Sequence, residues 1–156
     1  MLRKALRTTS QGCMHIRFVM YVSEVLEDKS ELGLRLLNAY KINDRAVLTN
    51  LCDTIIPRLI RKLKRLHEQH RRVWFSLYKP QGWEHIDARY GTLETRLDST
   101  RMRIQDYLSD SIFSIDELEE TRLACFPATE GRVPHCSLTY NEIISPGLMI
   151  SPRLLA

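Results

Sequence analysis

Apolar side chains recur at three- and four-residue steps along most of this chain, and that spacing predicts helices. Phe18, Val22, Val25, Leu26, Leu32, Gly33, Leu36, Leu37 and Tyr40 define one helix with a single buried stripe, interrupted at Lys29. Ile42-Asn43-Asp44 breaks the pattern, with Asp44 placed to cap the next helix. The second helix runs from about Arg45 to Leu77, and Leu48, Cys52, Ile55, Leu59, Leu63, Leu66, His70, Val73 and Leu77 mark its inner face. Pro57 lies inside that pattern. It lacks an N–H and crowds the preceding turn, so a kink or break is expected near Thr54 to Ile56.

Lys79-Pro80-Gln81-Gly82 ends the second helix, because proline disfavours helical geometry at Lys79 and Gly82 permits a sharp turn. A third helix follows from about Trp83 to Leu108, with Trp83, Ile86, Tyr90, Leu93, Leu97, Ile104 and Leu108 as its stripe. The near-heptad steps predict a long antiparallel hairpin with the second helix. Gly91 sits mid-helix, where glycine costs about 1 kcal/mol relative to alanine, and a close helix crossing is the expected reason. Ser114-Ile115-Asp116-Glu117 matches a capping box, with Ser114 as cap and Glu117 reaching back, ahead of a short helix through Leu123. Beyond Ala124 the prolines and glycines argue against helix, and Ser137 to Tyr140 and Glu142 to Ser145 are candidate short strands.

The expected architecture is therefore all-α. Three principal helices form a bundle, a long antiparallel hairpin plus a packing helix, with a short fourth helix and an irregular tail. Residues 1–17 are expected to be a basic, poorly ordered N-terminus, 18–123 the helical bundle, and 124–156 the tail.

Composition adds little to this. The 156 residues suffice for one core, and 44% hydrophobic with 27% charged residues is ordinary for a folded protein. A net charge of +4 permits anionic partners without requiring them. Cys13, Cys52, Cys125 and Cys136 form no C-x-x-C pair, so they read as reduced thiols in a cytoplasmic protein. No stretch approaches the roughly 18 to 20 apolar residues of a membrane helix.

Most candidate chemistry has a simpler structural explanation. Arg58, Arg61, Lys62, Lys64, Arg65, Arg71 and Arg72 form the strongest charge feature, opposed only by Glu68. Such a run can track phosphates, but it also suits a solvated helix face or a surface meeting an acidic partner, and it is spread around the helix. His67 and His70 share a helix face, yet no suitably spaced third metal ligand follows, so His70 is expected to pack at a helix interface. Asp116-Glu117 sits in the first turn of a short helix, where acids complement the dipole. No nucleophile, phosphate-loop or dinucleotide motif is present. No catalytic residue, metal or cofactor is assigned.

The irregular stretch from Trp74 to Leu108 is more specific. Trp74, Lys79-Pro80, Gly82-Trp83-Glu84, Asp87, Arg89, Tyr90-Gly91, Leu93 and Arg96 follow an order that amphipathicity does not explain. With Arg103, Asp106-Tyr107-Leu108 and Glu117 to Glu120, this region resembles the C-terminal helical region of bacterial β-N-acetylhexosaminidases of glycoside hydrolase family 20. The resemblance spans roughly residues 18–146 and is strongest from Lys79 to Arg96.

It implies a helical accessory domain that packs on a (β/α)₈ catalytic barrel, with Trp74, Lys79, Trp83, Glu84, Asp87, Arg89, Tyr90 and Arg96 as candidate domain-packing residues. In that family an Asp-Glu pair at the barrel's strand ends works with the substrate's acetamido oxygen. Nothing in this chain corresponds to the barrel, and Asp116-Glu117 lies among the accessory helices, so no catalytic residue carries over. The expectation is a truncated or detached fragment, inactive alone and prone to self-association. The alternatives are a free-standing basic module binding nucleic acid, and a dimeric coiled-coil adaptor that uses the hairpin stripes between chains.

Overall fold

The computed structural model describes residues 12–120. The element order is α1 (Gly12–Lys29), α2 (Leu32–Lys41), α3 (Arg45–Asn50), a π-helical turn (Leu51–Ile55), α4 (Ile56–Leu77), α5 (Trp83–Leu108) and α6 (Asp116–Glu119). The architecture is an all-α bundle built on α1, α4 and α5. The expected strands and irregular tail lie outside the described residues, as do residues 1–11 and the expected helical continuation from Thr121 to Leu123.

Two expectations at the N-terminal end need correction. Among the described residues the first helix spans Gly12–Lys29, so residues 12–17 extend the bundle rather than precede it. The single helix expected from Phe18 to Tyr40 is two helices. Ser30 N–H closes α1 on Leu26 O at 3.0 Å, and Arg35 N–H opens the next helix on Glu31 O at 2.9 Å. Lys29 is the cause suggested by the pattern: one continuous rod would carry its charge along the buried stripe. The break lets α2 turn Leu32, Leu36 and Ala39 inward on a new axis, while Leu26 and Gly33, expected inside, face solvent.

Asn43 then adopts a positive φ of 52°, a conformation that asparagine tolerates. Asp44 Oδ1 accepts from Val47 N–H at 3.0 Å, the expected N-cap. The anticipated distortion before Pro57 takes the form of the π turn. Ile56 N–H bonds Leu51 O, five residues back, and α4 starts with Pro57 in its first turn. Widening the helix there accommodates a residue without an N–H, whose ring crowds the carbonyl four residues earlier.

Antiparallel pairing of α1 with α4 follows from the ion pairs Asp28–Arg58 and Glu24–Arg65, and from Gln69 donating to Met14 O. The hairpin of α4 and α5 is antiparallel too, with Cys52 beside Arg101 and His70 beside Tyr90. Leu48, Leu51, Ile56, Leu59, Leu63 and Ile104 are wholly buried where these helices meet. Leu77 is the one predicted inner-face residue of this helix that is exposed. Leu48, Cys52, Ile55, Leu59, Leu63, Leu66, Leu97 and Ile104 of the hairpin stripes are buried within the one chain, which leaves little of them for the coiled-coil adaptor.

Gly91 also departs from expectation. A Cβ built there meets nothing within 4 Å, so no helix crossing requires glycine. Gly91→Ala is therefore expected to raise stability by about 1 kcal/mol, through helix propensity and a less flexible unfolded chain. A urea midpoint at or below that of the parent chain would contradict this.

The α5–α6 connection folds back over α2. Tyr40 Oη accepts from Ile115 N–H at 3.1 Å and donates to Glu119 Oε1 at 2.6 Å. The capping box does not form. Ile115 occupies the cap position without a side-chain bond, Ser114 donates to Asp116 Oδ1 at 2.8 Å, and Glu117 pairs with Arg103 at 3.2 Å. A buried Ile115 at the cap position draws the chain into the core and turns Ser114 away from the helix N–H groups.

Candidate functional site

The strongest cluster of side chains is at the tip of the α4–α5 hairpin. Gly82, with φ of 92°, is the N-cap of α5, and a Cβ there would meet the Trp74 ring at 3.6 Å. This left-handed position favours glycine and allows the turn to close under the indole. Trp74 Nε1 donates to Lys79 O at 3.0 Å, which ties the end of α4 to the turn. Gly82 N–H donates to Glu84 Oε2 at 2.9 Å, using an otherwise unpaired donor at the start of α5.

Trp83 is buried beneath this turn. Its ring stacks with His67 at 5.7 Å, meets His70 edge-on at 5.5 Å, and lies 5.9 Å from Trp74 and 5.7 Å from Phe75. Tyr90 stacks on His67 at 4.5 Å and bonds His70 Nδ1 at 3.1 Å through its hydroxyl. Asp87 holds His67 Nε2 at 2.6 Å. Both histidines are thus committed to packing between α4 and α5, and among the described residues no group of three His, Cys, Asp or Glu side chains is placed to hold a metal.

Burial and the nearby His67 hold His70 below the ordinary imidazole value, while burial pushes the Tyr90 phenol up to about 12. A histidine with a depressed folded pKa takes up its proton more readily when unfolded. Its stabilising contribution is complete above the unfolded value of about 6.5 and is lost as pH falls through that value toward the folded one. The melting temperature is expected to drop between about pH 7.5 and about pH 5.5, and His70→Gln is expected to flatten that slope. An unchanged slope in the variant would assign the dependence to another group.

The candidate packing residues divide into two sets. Trp74, Trp83, Asp87 and Tyr90 come together in the cluster, with Glu84 and Lys79 at its edge. Trp83 is consumed inside the hairpin and has little surface to offer a partner. Arg89 is exposed on α5 beside Tyr90. Arg96 is two turns further along and does not join the tip. Sequence patterning missed Phe75 and Tyr78 and put Leu77 on the inner face, yet all three are large, apolar and exposed at the tip. A signal existed: Trp74 to Tyr78 packs four large apolar residues into five positions, more than one helix face can bury.

The basic run also resolves into two sets, where the sequence shows only a spread of charge. Arg58 and Lys62 grip Asp28 at 2.5 and 2.7 Å, Lys62 also reaches Glu27 at 3.2 Å, and Arg65 reaches Glu24 at 3.1 Å. Burial raises the Asp28 pKa, but the hydrogen bonds from Arg58 and Lys62 outweigh it and hold the carboxyl below its usual range. Arg61, Lys64, Arg71 and Arg72 remain on the solvent side. This second set makes none of the ion pairs with α1 that hold the first.

No curated protein matches the chain. Residues 1–136 match the family described as Glycoside Hydrolase 20C C-terminal domain, in agreement with the resemblance carried by Lys79 to Arg96. The match covers most of the sequence, and the chain belongs to that Glycoside Hydrolase 20C C-terminal domain family.

Proposed function

We infer that this chain is the helical accessory domain of a hexosaminidase-like glycoside hydrolase, and that it seats against the (β/α)₈ catalytic domain through its hairpin tip. The observation that carries the docking surface is the exposed trio Phe75, Leu77 and Tyr78 beside the aromatic cluster. Trp74 and Trp83 hold the tip in one shape, so docking orders few new side chains. Lys79, Glu84, Asp87 and Arg89 then form a polar rim, the usual surround of an apolar contact. Arg96 extends that rim along α5.

In this reading the domain has no glycosidase activity of its own and acts as a support for a barrel. Asp116 and Glu117 serve structure: one is bonded to Ser114 and the other to Arg103. A cytoplasmic location suits the buried, unpaired thiol of Cys52. Among the described residues no helix is long and apolar enough to cross a membrane. The nucleic-acid alternative is weakened, since three of its seven cations are held by α1.

The test mixes the pure chain with a family 20 catalytic barrel expressed without its own C-terminal domain. The expected result is no turnover of a chromogenic N-acetylglucosaminide by the chain alone, and a higher melting temperature for the barrel when the chain is added. Tyr78→Asp combined with Leu77→Asp is expected to weaken the association by about thirtyfold or more, as for an interface hot spot. Turnover by the isolated chain that disappears in Glu117→Gln would overturn the accessory role. Equal association by wild type and double variant would move the docking surface elsewhere.

A further inference from the structure

Helix α4 turns one flank to α1, where Glu24, Glu27 and Asp28 take Arg58, Lys62 and Arg65. Its other flank meets α5, where His67 holds Asp87 and Trp74 packs on Trp83. Between the two runs an outer face. Arg61, Lys64, Glu68, Arg71 and Phe75 follow on it at three- and four-residue steps, with Arg72 beside them, and all six are exposed. The row extends about 21 Å along the helix axis. Among the described residues Arg61, Lys64, Arg71 and Arg72 form no ion pair, and neither does Glu68.

The row does not end in solvent. The Arg71 guanidinium lies 5.7 Å from the centre of the Phe75 ring, and Phe75 rests against the buried Trp83 at 5.7 Å. The last cations are therefore joined through one ring to the exposed apolar tip of Phe75, Leu77 and Tyr78. Arginine stacked on an aromatic ring is a composition that interfaces favour. Like charges at helical spacing repel one another, and no acid from α1 or α5 offsets these, so a partner bearing carboxylates would relieve the repulsion. Glu68 stands in the middle of the row. An unbroken track of phosphates would press one of its charges against that carboxylate, whereas a protein surface can set a donor there. Leu77 also asks for an apolar wall beside the charges.

We propose that the outer face of α4 meets an acidic strip on the catalytic domain, with Arg61, Lys64 and Arg72 set against its carboxylates and the strip ending in an apolar patch over Phe75. The proposal rests on the accessory-domain reading and extends its contact from the hairpin tip along α4. The two parts divide the work. Exposed complementary charges speed and orient encounter, while the apolar tip slows release.

Association kinetics of the full 156-residue chain with a family 20 catalytic barrel lacking its own C-terminal domain test this division. Between about 0.05 and about 0.5 M salt the association rate is expected to fall about tenfold, with the dissociation rate changing by less than about threefold. Arg61→Glu combined with Lys64→Glu is expected to lower the association rate about tenfold at low salt and to flatten its salt dependence, with the melting temperature of the chain unchanged. Arg35→Glu combined with Lys41→Glu makes the same change in net charge at exposed positions of α2 and is expected to lower the rate by less than about threefold. Leu77→Ala combined with Tyr78→Ala is expected to act on the dissociation rate instead. Association that ignores salt, or an equal loss from the α2 variant, would overturn the acidic strip and leave the accessory role standing. No association at any salt would overturn both. Tighter binding of a fluorescent oligonucleotide than of the barrel at about 0.15 M salt, lost in the Arg61 and Lys64 variant, would assign the face to a polyanion and overturn the proposal.

Discussion

Trp83→Ala is expected to destabilise the domain by about 3–5 kcal/mol, the usual range for truncating a buried aromatic residue. The indole is 6% exposed and touches rings from four residues of α4: His67, His70, Trp74 and Phe75. Its removal leaves a void that the hairpin cannot easily collapse into, because Trp74 is tethered to Lys79 O and Gly82 holds the turn at positive φ. The loss comprises the transfer of the ring from the core, the unfilled volume and the ring–ring contacts, which add about 0.5–1.5 kcal/mol per pair in favourable geometry. Urea unfolding followed by circular dichroism reads the change directly. Trp83→Phe is expected to recover a large part of it. A loss below about 1 kcal/mol for the alanine variant would mean that the tip unfolds independently of the bundle. The same variant is expected to weaken docking to a catalytic barrel without removing any surface group, because Phe75 would lose the ring that fixes it.

Leu63→Ala is expected to cost about 3 kcal/mol, within the range of buried leucine truncations. Leu63 is wholly buried midway along α4, in the same core that joins α1 and α5. Neighbours on both sides are themselves close-packed, so the vacated volume stays largely empty. The comparison with Leu77→Ala makes the test sharp. Both residues belong to the same predicted stripe, but Leu77 is 58% exposed, and its truncation is expected to change stability by less than about 0.5 kcal/mol. Similar losses for the two variants would contradict the placement of the end of α4. A small Leu77 effect on stability together with a large effect on association would support the docking surface.

These contrasts show how much the linear pattern carried. The inner face from Leu48 to Val73 was legible because seven turns of consistent spacing leave one solution for a buried stripe. Asp44 was legible because an N-cap is a local bond between a side chain and a backbone N–H three residues on. Pro57 announced a defect for an equally local reason, although the widened π turn was one of several ways to absorb it. The hairpin turn was legible from Pro80 and Gly82, whose backbone preferences do not depend on the rest of the molecule.

Where reading failed, the deciding interaction was distant in sequence. Ser114 and Glu117 have capping-box spacing, but Arg103 and Tyr40 compete for that segment from other helices, and the competing bonds form. Gly91 suggested a crossing because mid-helix glycine has a cost, yet the neighbouring helix passes elsewhere. The basic run looked uniform because its acidic partners, Glu24, Glu27 and Asp28, lie 30 or more residues upstream. The aromatic tip was flagged residue by residue, while its division into a buried Trp83 and an exposed Tyr78 was not.

The sequence by itself determined that this protein is helical, where its long hairpin turns, and which family it belongs to. The first two rest on backbone preferences and short-range spacing, which act within a few residues, and the third on the order of particular residues along the chain. Only the tertiary structure decided which charges are spent on α1, which aromatic rings remain outside, and that Ile115 is drawn into the core against α2. Those outcomes depend on which helix faces meet. Burial and ion pairing are properties of pairs of surfaces, and no single stretch of chain specifies them.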